Sequence, residues 1–479
     1  MKLLFVASEC APFIKTGGLA DVIGAVPKTL TAQGVDVKVM LPAYPALKGL
    51  VDQGKTLLNF GSFFGGPARL VAVNAEGLSL LLFDAPHLFD RPGNIYLDKT
   101  GSDWSDNHLR FGALSAAAAQ VSLDGLAGWV PDLVNVHDWQ AGLVPAYLRQ
   151  SGRPAPKCVL TIHNIAFQGL FTKSVLPDLG LSEDLFTYDG LEYFGKVGFL
   201  KAGIVFSDKI TTVSPTYARE LMLPEFGMGL EGLLQSRKSD LLGILNGIDL
   251  DTWDPSKDPD LIATYSTRTL RRKAQNKAAL ERRFNLTPGG NGPLFCVVSR
   301  LTQQKGLDLL LDVLPELVAR GAKLAVLGSG DKQLEAGFVA AAKTYQGSVG
   351  TIIDYDEALS HLVQGGSDAI LIPSRFEPCG LTQLYGLRYG TIPVVARTGG
   401  LADTIIDANA VALADGCATG IQFAPVTAAA LGQAIDRTCE LFDQPDVWQR
   451  IVRRAMRQPV GWDQSAQAYH KLYTDLCAS

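Results

Sequence analysis

Short apolar runs alternate with helical stretches along almost the whole chain, and this alternation is the feature that most constrains its fold. The runs are largely apolar along their length, which is typical of strands covered on both faces of a parallel sheet. Strands that alternate with helices predict an α/β protein with doubly wound sheets. The predicted strands are Leu3–Ser8, Val35–Leu41, Leu78–Phe83, Leu133–His137, Lys157–Ile162, Lys209–Val213, Leu294–Ser299, Lys323–Leu327, Gly350–Ile353, Ala369–Pro373 and Ile392–Ala396.

The alternation breaks once, which suggests two domains. Residues 246–260 read NGIDLDTWDPSKDPD, a run rich in Asn, Gly, Asp and Pro that is typical of a connector. A length of 479 residues also exceeds what a single ordinary core accommodates. We therefore predict a first domain over 1–245 and a second over 246–457. The last segment, 458–479, contains a predicted amphipathic helix at Trp462–Leu476.

Composition and charge exclude several classes of protein. The chain carries 43 Lys and Arg against 48 Asp and Glu, a net charge of −5, so it lacks the basic field that attracts nucleic acid or anionic membranes. The apolar start ends at Ala7, which is short for a signal peptide, and no apolar stretch approaches the ~18–20 residues of a membrane span. The seven cysteines form no Cys-x-x-Cys pair, which disfavours a disulfide framework or a zinc site. These features predict a soluble protein of a reducing, cytoplasmic compartment.

A glycine-rich turn follows the first predicted strand. It reads Lys15-Thr-Gly17-Gly18-Leu-Ala-Asp21. Glycines let a ligand approach the backbone, and the N–H groups at the start of a helix favour an anion. A lysine just before the turn adds a mobile charge, so the motif predicts phosphate or sugar binding; a tight turn with a solvated lysine is the alternative. The spacing fits neither a dinucleotide fingerprint nor a Walker loop, which disfavours hydride and phosphoryl transfer.

The six residues TGGLAD occur twice. They span 16–21 and again 398–403, each time after a cation, Lys15 or Arg397. Both copies lie where a predicted strand passes into a helix. We therefore predict two related half-sites, one in each domain, although paired glycines are also common at helix starts.

A basic motif follows the first strand of the second domain. It reads SRLTQQKG over 299–306 and contains Arg300 and Lys305. A guanidinium can bind phosphate oxygens in a bidentate way, and an ammonium adds a compact charge. Because ligands bind at the carboxyl ends of the strands in doubly wound sheets, we predict phosphate binding here; a solvated loop is the alternative.

A further motif, RFEPCGLTQ over 375–383, follows the strand at Ala369–Pro373. Gly380 and Leu381 are predicted to open a helix whose N–H groups face an anion. Glu377 precedes that helix, so its carboxylate would accept hydrogen bonds from sugar hydroxyls or cap the helix. Cys379 has no histidine nearby in sequence, which favours a small buried residue over a nucleophile.

Polar residues end two strands of the first domain. His137 and Asp138 end one strand, and His163 and Asn164 end the next. Each histidine is as consistent with a structural role as with a ligand contact. Their shared position, on the sheet edge that also carries the glycine-rich turn, favours ligand binding.

The predicted connector contains three further polar candidates. Asn246 opens it, where one side chain can reach a ligand of either domain. Asp249 and Asp251 form an Asp-x-Asp pair, which is found in metal-dependent glycosyltransferases. Because this pair lies in a connector-like loop, we interpret it as structural.

Together these motifs resemble those of the bacterial glycogen synthase and plant starch synthase family. In family order, the sequences that carry the resemblance are KTGGLADVIGAVP, NVHDWQAGL, TIHNIAFQG, NGIDLDTWDP, SRLTQQKG and PSRFEPCGLTQLYGLRYGTIPVVARTGGLADT. They run from the N-terminus to about residue 404 and so cover most of the chain. The first motif and the SRFEPCGLTQLYG block are the most specific.

The resemblance implies a GT-B fold, in which two Rossmann-like domains face a central cleft. It also implies transfer of glucose from ADP-glucose to the non-reducing end of an α-1,4-glucan, glycogen or a malto-oligosaccharide, with retention of configuration and without a cofactor. The identity of the base comes from the family, because the residues themselves do not distinguish ADP-glucose from UDP-glucose. The sequence makes no prediction of the oligomeric state.

The resemblance implies roles for individual residues as well. Arg300 and Lys305 would neutralise the departing diphosphate in place of a metal, and Glu377 would hold the glucose hydroxyls. His163 and Asp138 complete the predicted catalytic set, on the glucose and acceptor side. The residues predicted to bind substrate are Lys15, Gly17, Gly18, Asp21, Asn164, Asn246, Cys379, Gly380, Leu381 and Thr382, with Tyr355 at the nucleobase.

One position departs from a wider pattern. Many retaining GT-B enzymes carry Glu-x7-Glu, but Tyr385 stands eight residues after Glu377, which puts in doubt any mechanism that needs two glutamates there. Three alternatives remain open: another retaining GT-B transferase, a glucan phosphorylase, whose pyridoxal-phosphate lysine motif is not apparent, and a non-catalytic two-lobed sugar-binding protein.

Overall fold

The computed structural model describes residues 1–354 and 356–478. In these residues the chain separates into two compact units. Unit 1 contains Met1–Val213, Ala218–Asn246 and the C-terminal segment from Trp462. Unit 2 contains Ser214–Tyr217 and Gly247–Gly461. The division therefore falls at the start of the connector predicted over 246–260.

Unit 1 is built on strands whose central members are wholly buried, as their apolar sequences require. Leu3, Leu4, Phe5 and Val6, for example, have no exposed surface. The strands are β1 (Lys2–Val6), β2 (Asp36–Pro42), β3 (Lys55–Phe63), β4 (Gly66–Ala75), β5 (Leu78–Asp84), β6 (Leu133–His137), β7 (Lys157–Ile162), β8 (Leu170–Thr172), β9 (Glu192–Tyr193), β10 (Lys196–Gly198), β11 (Lys209–Thr212) and β12 (Leu241–Gly243).

The main sheet of unit 1 has the order β12-β11-β7-β6-β1-β2-β5-β4-β3 among the described residues. Pairing is parallel from β12 through to β5, and β4 and β3 add an antiparallel edge. A smaller antiparallel sheet has the order β8-β10-β9. Because β1, β6 and β7 are parallel neighbours, the residues that follow them lie on one edge of the sheet.

The helices of unit 1 follow its strands. They are α1 (Gly18–Ala32), α2 (Lys48–Gln53), α3 (Pro86–Phe89), α4 (Asn107–Asp124), α5 (Val144–Gln150), α6 (Leu176–Leu179), α7 (Phe199–Phe206), α8 (Pro215–Glu220), which crosses the unit boundary, and α9 (Glu231–Ser236).

Unit 2 contains a parallel sheet with helices between its strands. Its strands are β13 (Leu294–Val298), β14 (Lys323–Leu327), β15 (Val349–Ile352), β16 (Ala369–Ile372), β17 (Ile392–Ala396) and β18 (Ile421–Phe423), in the order β15-β14-β13-β16-β17-β18 within the described chain. Its helices are α10 (Lys273–Arg283), α11 (Leu307–Ala319), α12 (Lys332–Thr344), α13 (Glu357–Gly366), α14 (Thr382–Tyr389), α15 (Gly399–Thr404), α16 (Ala410–Ala414), α17 (Ala428–Phe442) and α18 (Pro445–Ala455).

The last helix, α19 (Asp463–Ala478), belongs to unit 1 rather than to the unit that precedes it in sequence. Its Tyr473 hydroxyl donates to the Asn135 side chain in β6 over 2.6 Å, and its ring packs edge-on against Phe5 in β1. Ser465 also donates to the Leu245 carbonyl. The final amphipathic stretch of the sequence thus covers the sheet of unit 1.

The predicted α/β class, with two doubly wound sheets, is confirmed. Each strand predicted from an apolar run is present, with ends that move by at most two residues. The antiparallel hairpin of β3 and β4 was not predicted, because its strands are only partly buried and their apolar pattern is weak. None of the helices in the described residues has the length and hydropathy of a membrane span.

Candidate active site

A largely buried ion pair joins two predicted catalytic residues of unit 2. Lys305 Nζ lies 2.5 Å from Glu377 Oε2, and the Ser374 hydroxyl donates to the same oxygen over 2.9 Å. The Lys305 side chain is 19% exposed and that of Glu377 is 8% exposed. Each charge would lose much of its hydration if it were alone at this depth, and the pair compensates for that loss. The pair therefore fixes an ammonium and a carboxylate at one point.

Local backbone geometry places Lys305. It ends a turn of 3-10 helix over Gln303–Lys305, and Gly306 follows with φ 66°. A Cβ atom on Gly306 would come within 1.9 Å of the Pro373 carbonyl oxygen. Glycine is thus required by both conformation and space, and the close approach brings the loop after β13 against the loop after β16.

Arg375 ties the same two loops together. Its guanidinium binds the Asp308 carboxylate in a bidentate way, over 2.7 and 2.6 Å, and donates to the Gln303 carbonyl over 2.5 Å. Its backbone N–H donates to the Gln304 carbonyl over 2.8 Å. Planar fork-to-fork pairing fixes distance and angle, so Arg375 sets the position of the turn that carries Lys305. Its sequence motif predicted no role for Arg375.

The start of α14 lies beside the ion pair. Ser299, Lys305, Glu377, Gly380 and Thr382 line one small concavity. Gly380 has φ 74°, and no side chain caps the helix at Leu381. An uncapped helix start offers N–H groups and a partial positive charge to an anion. Cys379, 3% exposed, is a buried residue of this turn, as the sequence predicted.

Two other predicted residues of unit 2 stand apart from this cluster. Arg300 follows β13, is exposed, and donates no side-chain hydrogen bond to the rest of the described chain. It is next to Ser299, which lines the concavity, so an extended guanidinium there is available to a ligand. Tyr355, predicted at the nucleobase, lies outside the described residues.

The second TGGLAD sequence packs against the site and does not form an open turn. A Cβ atom on Gly399 would lie 1.9 Å from the Glu377 carbonyl oxygen, and one on Gly400 would lie 2.4 Å from that of Cys379. The Gly400 N–H donates to the carbonyl of Glu377 over 3.1 Å. The predicted second half-site, with its glycines open to a ligand, does not match this packing: this copy supports the backbone that carries Glu377.

The residue that replaces the second glutamate of Glu-x7-Glu is part of an aromatic stack. Tyr385 lies parallel to Trp253, with ring centroids 3.7 Å apart, and Trp253 lies parallel to His361 at 3.8 Å. His361 Nδ1 and the Tyr389 hydroxyl share the Oδ2 atom of Asp258. This position therefore packs α13 and α14 against the segment that contains Trp253.

Two groups of described residues consist of side chains that commonly bind metals. Asp258, Asp260 and His361 lie close enough together to hold an ion, but Asp258 and His361 are already hydrogen-bonded to each other. Asp249 accepts from the Asp251 N–H over 2.8 Å, and Asp251 pairs with a lysine. Asp258 and His361 therefore already have internal partners, and the Asp-x-Asp pair forms part of a turn.

In unit 1 the glycine-rich turn leads into α1. Lys15, with a side chain 35% exposed, lies 2.8 Å from Asp21 in the first turn of the helix. Gly17 is the N-cap residue and Gly18 is the first helical residue. Because glycine has no side chain, the N-cap residue itself does not cap the helix. The predicted residues of this motif are thus adjacent in the structure.

Glu9, which no sequence motif predicted, lies against this turn and is 3% exposed. Its carboxylate accepts from the Thr16 N–H over 2.5 Å, the Thr16 hydroxyl over 2.6 Å and the Gly17 N–H over 3.2 Å. The Tyr96 hydroxyl also donates to it over 2.5 Å. The only sequence signal was an acidic residue directly after a buried strand.

Asp138 and two histidines form a second polar cluster in unit 1. Asp138 has φ 54°, a rare conformation outside glycine, and its Oδ1 accepts from the His163 N–H over 2.7 Å. Burial raises the pKa of Asp138 to about 7. His163 Nε2 lies 3.0 Å from His137 Nδ1, and burial lowers the pKa of His163 to about 3. One uncharged imidazole ring donates to the other, and the neighbouring carboxyl group has a pKa close to neutral pH.

Two asparagines complete the predicted residues of unit 1. Asn164 follows His163, and its side chain accepts from the Ala166 N–H over 3.0 Å. Asn246 is 9% exposed, and its Oδ1 has no hydrogen-bond partner within residues 1–354 and 356–478. A buried acceptor without a partner is costly, which favours a ligand contact for Asn246.

The chain matches two known families of sequences. Residues 2–236 match the starch synthase catalytic domain, and residues 280–454 match the glycosyl transferases group 1. A glycogen synthase from Roseobacter denitrificans is 67% identical over 99% of both chains. Glycogen synthase 1 from Rhizobium meliloti is 53% identical over the full length of both.

Two solved structures of glycosyl-transferring enzymes are similar to this chain. The catalytic domain of starch synthase IV from Arabidopsis thaliana, bound to ADP and acarbose, is similar with a TM-score of 0.89 and 31% identity, covering 100% of this chain and 99% of that one. A sucrose-phosphate synthase from Thermosynechococcus elongatus is similar with a TM-score of 0.59 and 16% identity, covering 100% and 99%. The second likeness is one of fold alone.

Proposed function

Because the chain belongs to the glycogen and starch synthase family of GT-B glycosyltransferases, we propose that it transfers glucose from ADP-glucose to the non-reducing end of an α-1,4-glucan with retention of configuration. The observation that carries the proposal is the concavity of unit 2, where Lys305, Glu377 and the uncapped start of α14 meet. A cation, a helix start and a carboxylate match a sugar diphosphate, which has an anionic end and a hydroxyl-rich end. The starch synthase similar to this chain was solved with ADP, which favours adenine as the base of the donor.

The chemistry follows from where charge develops. As the bond between the sugar C1 and the phosphate oxygen breaks, negative charge grows on the diphosphate and positive charge on the sugar. Preorganised cations in a dry site stabilise such charge, with each contact contributing ~3–4 kcal/mol. In this proposal Arg300 and Lys305 stabilise the leaving diphosphate, and Glu377 positions the sugar hydroxyls.

Retention follows if the acceptor attacks the face that the phosphate leaves. The new bond joins C1 to the acceptor hydroxyl oxygen, and the departing phosphate takes the hydroxyl proton. No covalent enzyme intermediate is needed, so Tyr385 in place of a second glutamate is compatible with the reaction. Lys15 and its turn would contact the donor, while Asp138, His163 and Asn246 would contact the glucose and acceptor.

The proposal includes metal-independent catalysis and a cytoplasmic location. Arg300 and Lys305 supply the positive charge that a divalent ion supplies in other transferases. Within the described chain the seven cysteines form no disulfide, which favours a reducing compartment.

Purified protein incubated with radiolabelled ADP-glucose and glycogen tests the function. We expect label in the precipitated glucan, slower transfer from UDP-glucose, and unchanged transfer with EDTA. Release of glucose 1-phosphate from glycogen and phosphate, without transfer from ADP-glucose, would instead identify a phosphorylase. An unlabelled glucan would contradict the proposed function.

A further inference from the structure

The contacts of Glu9 assign a role to a residue that no motif contains. We propose that Glu9 is a positioning residue: its carboxylate holds the Lys15–Gly18 turn in the shape that presents Lys15 and the first N–H groups of α1 to the donor diphosphate. This inference rests on the proposed function, because it takes that diphosphate as the ligand of the turn.

The carboxylate of Glu9 occupies N–H groups that a phosphate would otherwise bind. It accepts from the backbone of both Thr16 and Gly17. The N–H groups of Gly18 and Leu19, the next two along, have no acceptor in the described residues. Glu9 therefore separates four successive N–H groups: those of Thr16 and Gly17, just before α1, are bound to the protein, and those of Gly18 and Leu19, the first two of the helix, are open to a ligand.

Glu9 is a fixed support and not a group that the ligand displaces. It is 3% exposed, and Tyr96 anchors it from a separate loop through Oε1. Moving the carboxylate away would leave a buried charge without its donors, as well as two backbone N–H groups without an acceptor. Both changes are unfavourable in a buried site, so the turn and Glu9 remain together when the ligand binds.

The support also constrains Lys15 directly. Thr16 follows Lys15 and is held to Glu9 by its backbone and by its hydroxyl. Asp21 holds the Lys15 ammonium over 2.8 Å from the other side. With one end of the turn fixed, little conformational entropy is lost when Lys15 meets phosphate. Without Glu9 the turn samples more conformations, and donor affinity falls.

Kinetics of Glu9→Ala, Glu9→Gln and the wild type, with each substrate varied in turn, test the role. We expect the donor KM of Glu9→Ala to rise at least about tenfold while the glucan KM changes little. Glu9→Gln keeps an acceptor oxygen and should recover most of the donor affinity. Glu183→Ala, at an exposed carboxylate of the same unit, is the matched control and should behave as wild type.

Hydrogen exchange of the Thr16 and Gly17 amides gives a readout that does not depend on activity. We expect faster exchange there in Glu9→Ala, with Lys157–Ile162 unaffected. If Glu9→Ala does not fold, Tyr96→Phe and Thr16→Val each remove one hydrogen bond to Glu9, and each should raise the donor KM alone. An active wild type whose variants keep both the donor KM and the exchange rates would overturn the inference. A wild type without transferase activity would instead contradict the proposed function, and the exchange measurement would still report on Glu9.

Discussion

Lys305 and Glu377 are 72 residues apart in sequence, yet their charged groups lie 2.5 Å apart at the edge of one parallel sheet. Lys305 comes from the turn after β13, and Glu377 from the turn after β16, the neighbouring strand. Each is the principal partner of the other without a ligand. A sugar diphosphate would meet both, since its phosphate attracts the ammonium and its hydroxyls donate to the carboxylate.

Replacement of Lys305 by alanine tests leaving-group stabilisation. We expect kcat to fall at least ~100-fold, because one preorganised charge contact in the transition state is lost. The change also leaves Glu377 without its cation, so the thermal midpoint should fall. Lys332→Ala, at a side chain 89% exposed in the same unit, should alter neither quantity. A near-normal kcat for Lys305→Ala would contradict the proposed mechanism.

Arg375 should act through the turn that it holds. Arg375→Lys cannot reproduce the bidentate contact with Asp308 together with the Gln303 contact. Because small displacements of catalytic groups are costly, we expect kcat to fall about tenfold with a smaller change in donor KM. Arg320→Lys, at an exposed arginine–aspartate pair of the same unit, is the control. Equal kcat values for the two variants would exclude a positioning role for Arg375.

The sequence was sufficient for the central strands of both large sheets and for the residues inside recognisable motifs. Central strands are predictable because burial on both faces demands continuous apolar runs, as in Leu3–Val6. Glu9 and Arg375 were not predictable in the same way. Their partners are backbone groups and an aspartate brought close only by folding, so spacing carries no signal.

The two TGGLAD sequences also show that a short motif does not determine the contacts around it. Identical residues open α1 and α15, yet the first turn is supported by Glu9 and the second is pressed against the backbone of Glu377. The difference arises from neighbouring strands and loops, which the six residues do not specify.

Gly399 offers a direct test of that second contact. Gly399→Ala would place a Cβ atom 1.9 Å from the Glu377 carbonyl oxygen, at a residue with φ 44°. The backbone that carries Glu377 must shift, and we expect kcat/KM to fall about 100-fold.

Gly416→Ala separates this steric effect from conformational strain. Gly416 has φ 65°, but no atom lies within 4 Å of its added Cβ. That variant should lose only about 1 kcal/mol of stability and keep its activity. If Gly399→Ala keeps full activity as well, its close approach has no catalytic consequence.

The stability of the protein should depend on pH through Asp138 and His163, with opposite signs. The pKa of Asp138 is raised to about 7, by burial first and then by the charge of Glu9, from an ordinary value of 3.8. Between these values the folded protein keeps a proton that the unfolded chain releases. Stability therefore falls as pH rises from about 4 to 7. Asp138→Asn removes this dependence. The thermal midpoint of the wild type should therefore fall relative to that of the variant as pH rises from about 4 to 7.

His163 provides the opposite slope in the same experiment. Burial lowers its pKa from 6.5 to about 3, so between these values the unfolded chain binds a proton that the folded protein does not. Its contribution to stability therefore rises with pH from about 3 to 6.5. As pH rises through this range, the thermal midpoint of the wild type should therefore rise relative to that of His163→Gln. Above pH 4 it should fall relative to that of Asp138→Asn. Midpoint differences that do not vary with pH for either variant would show that these two groups titrate alike in the folded and unfolded chains.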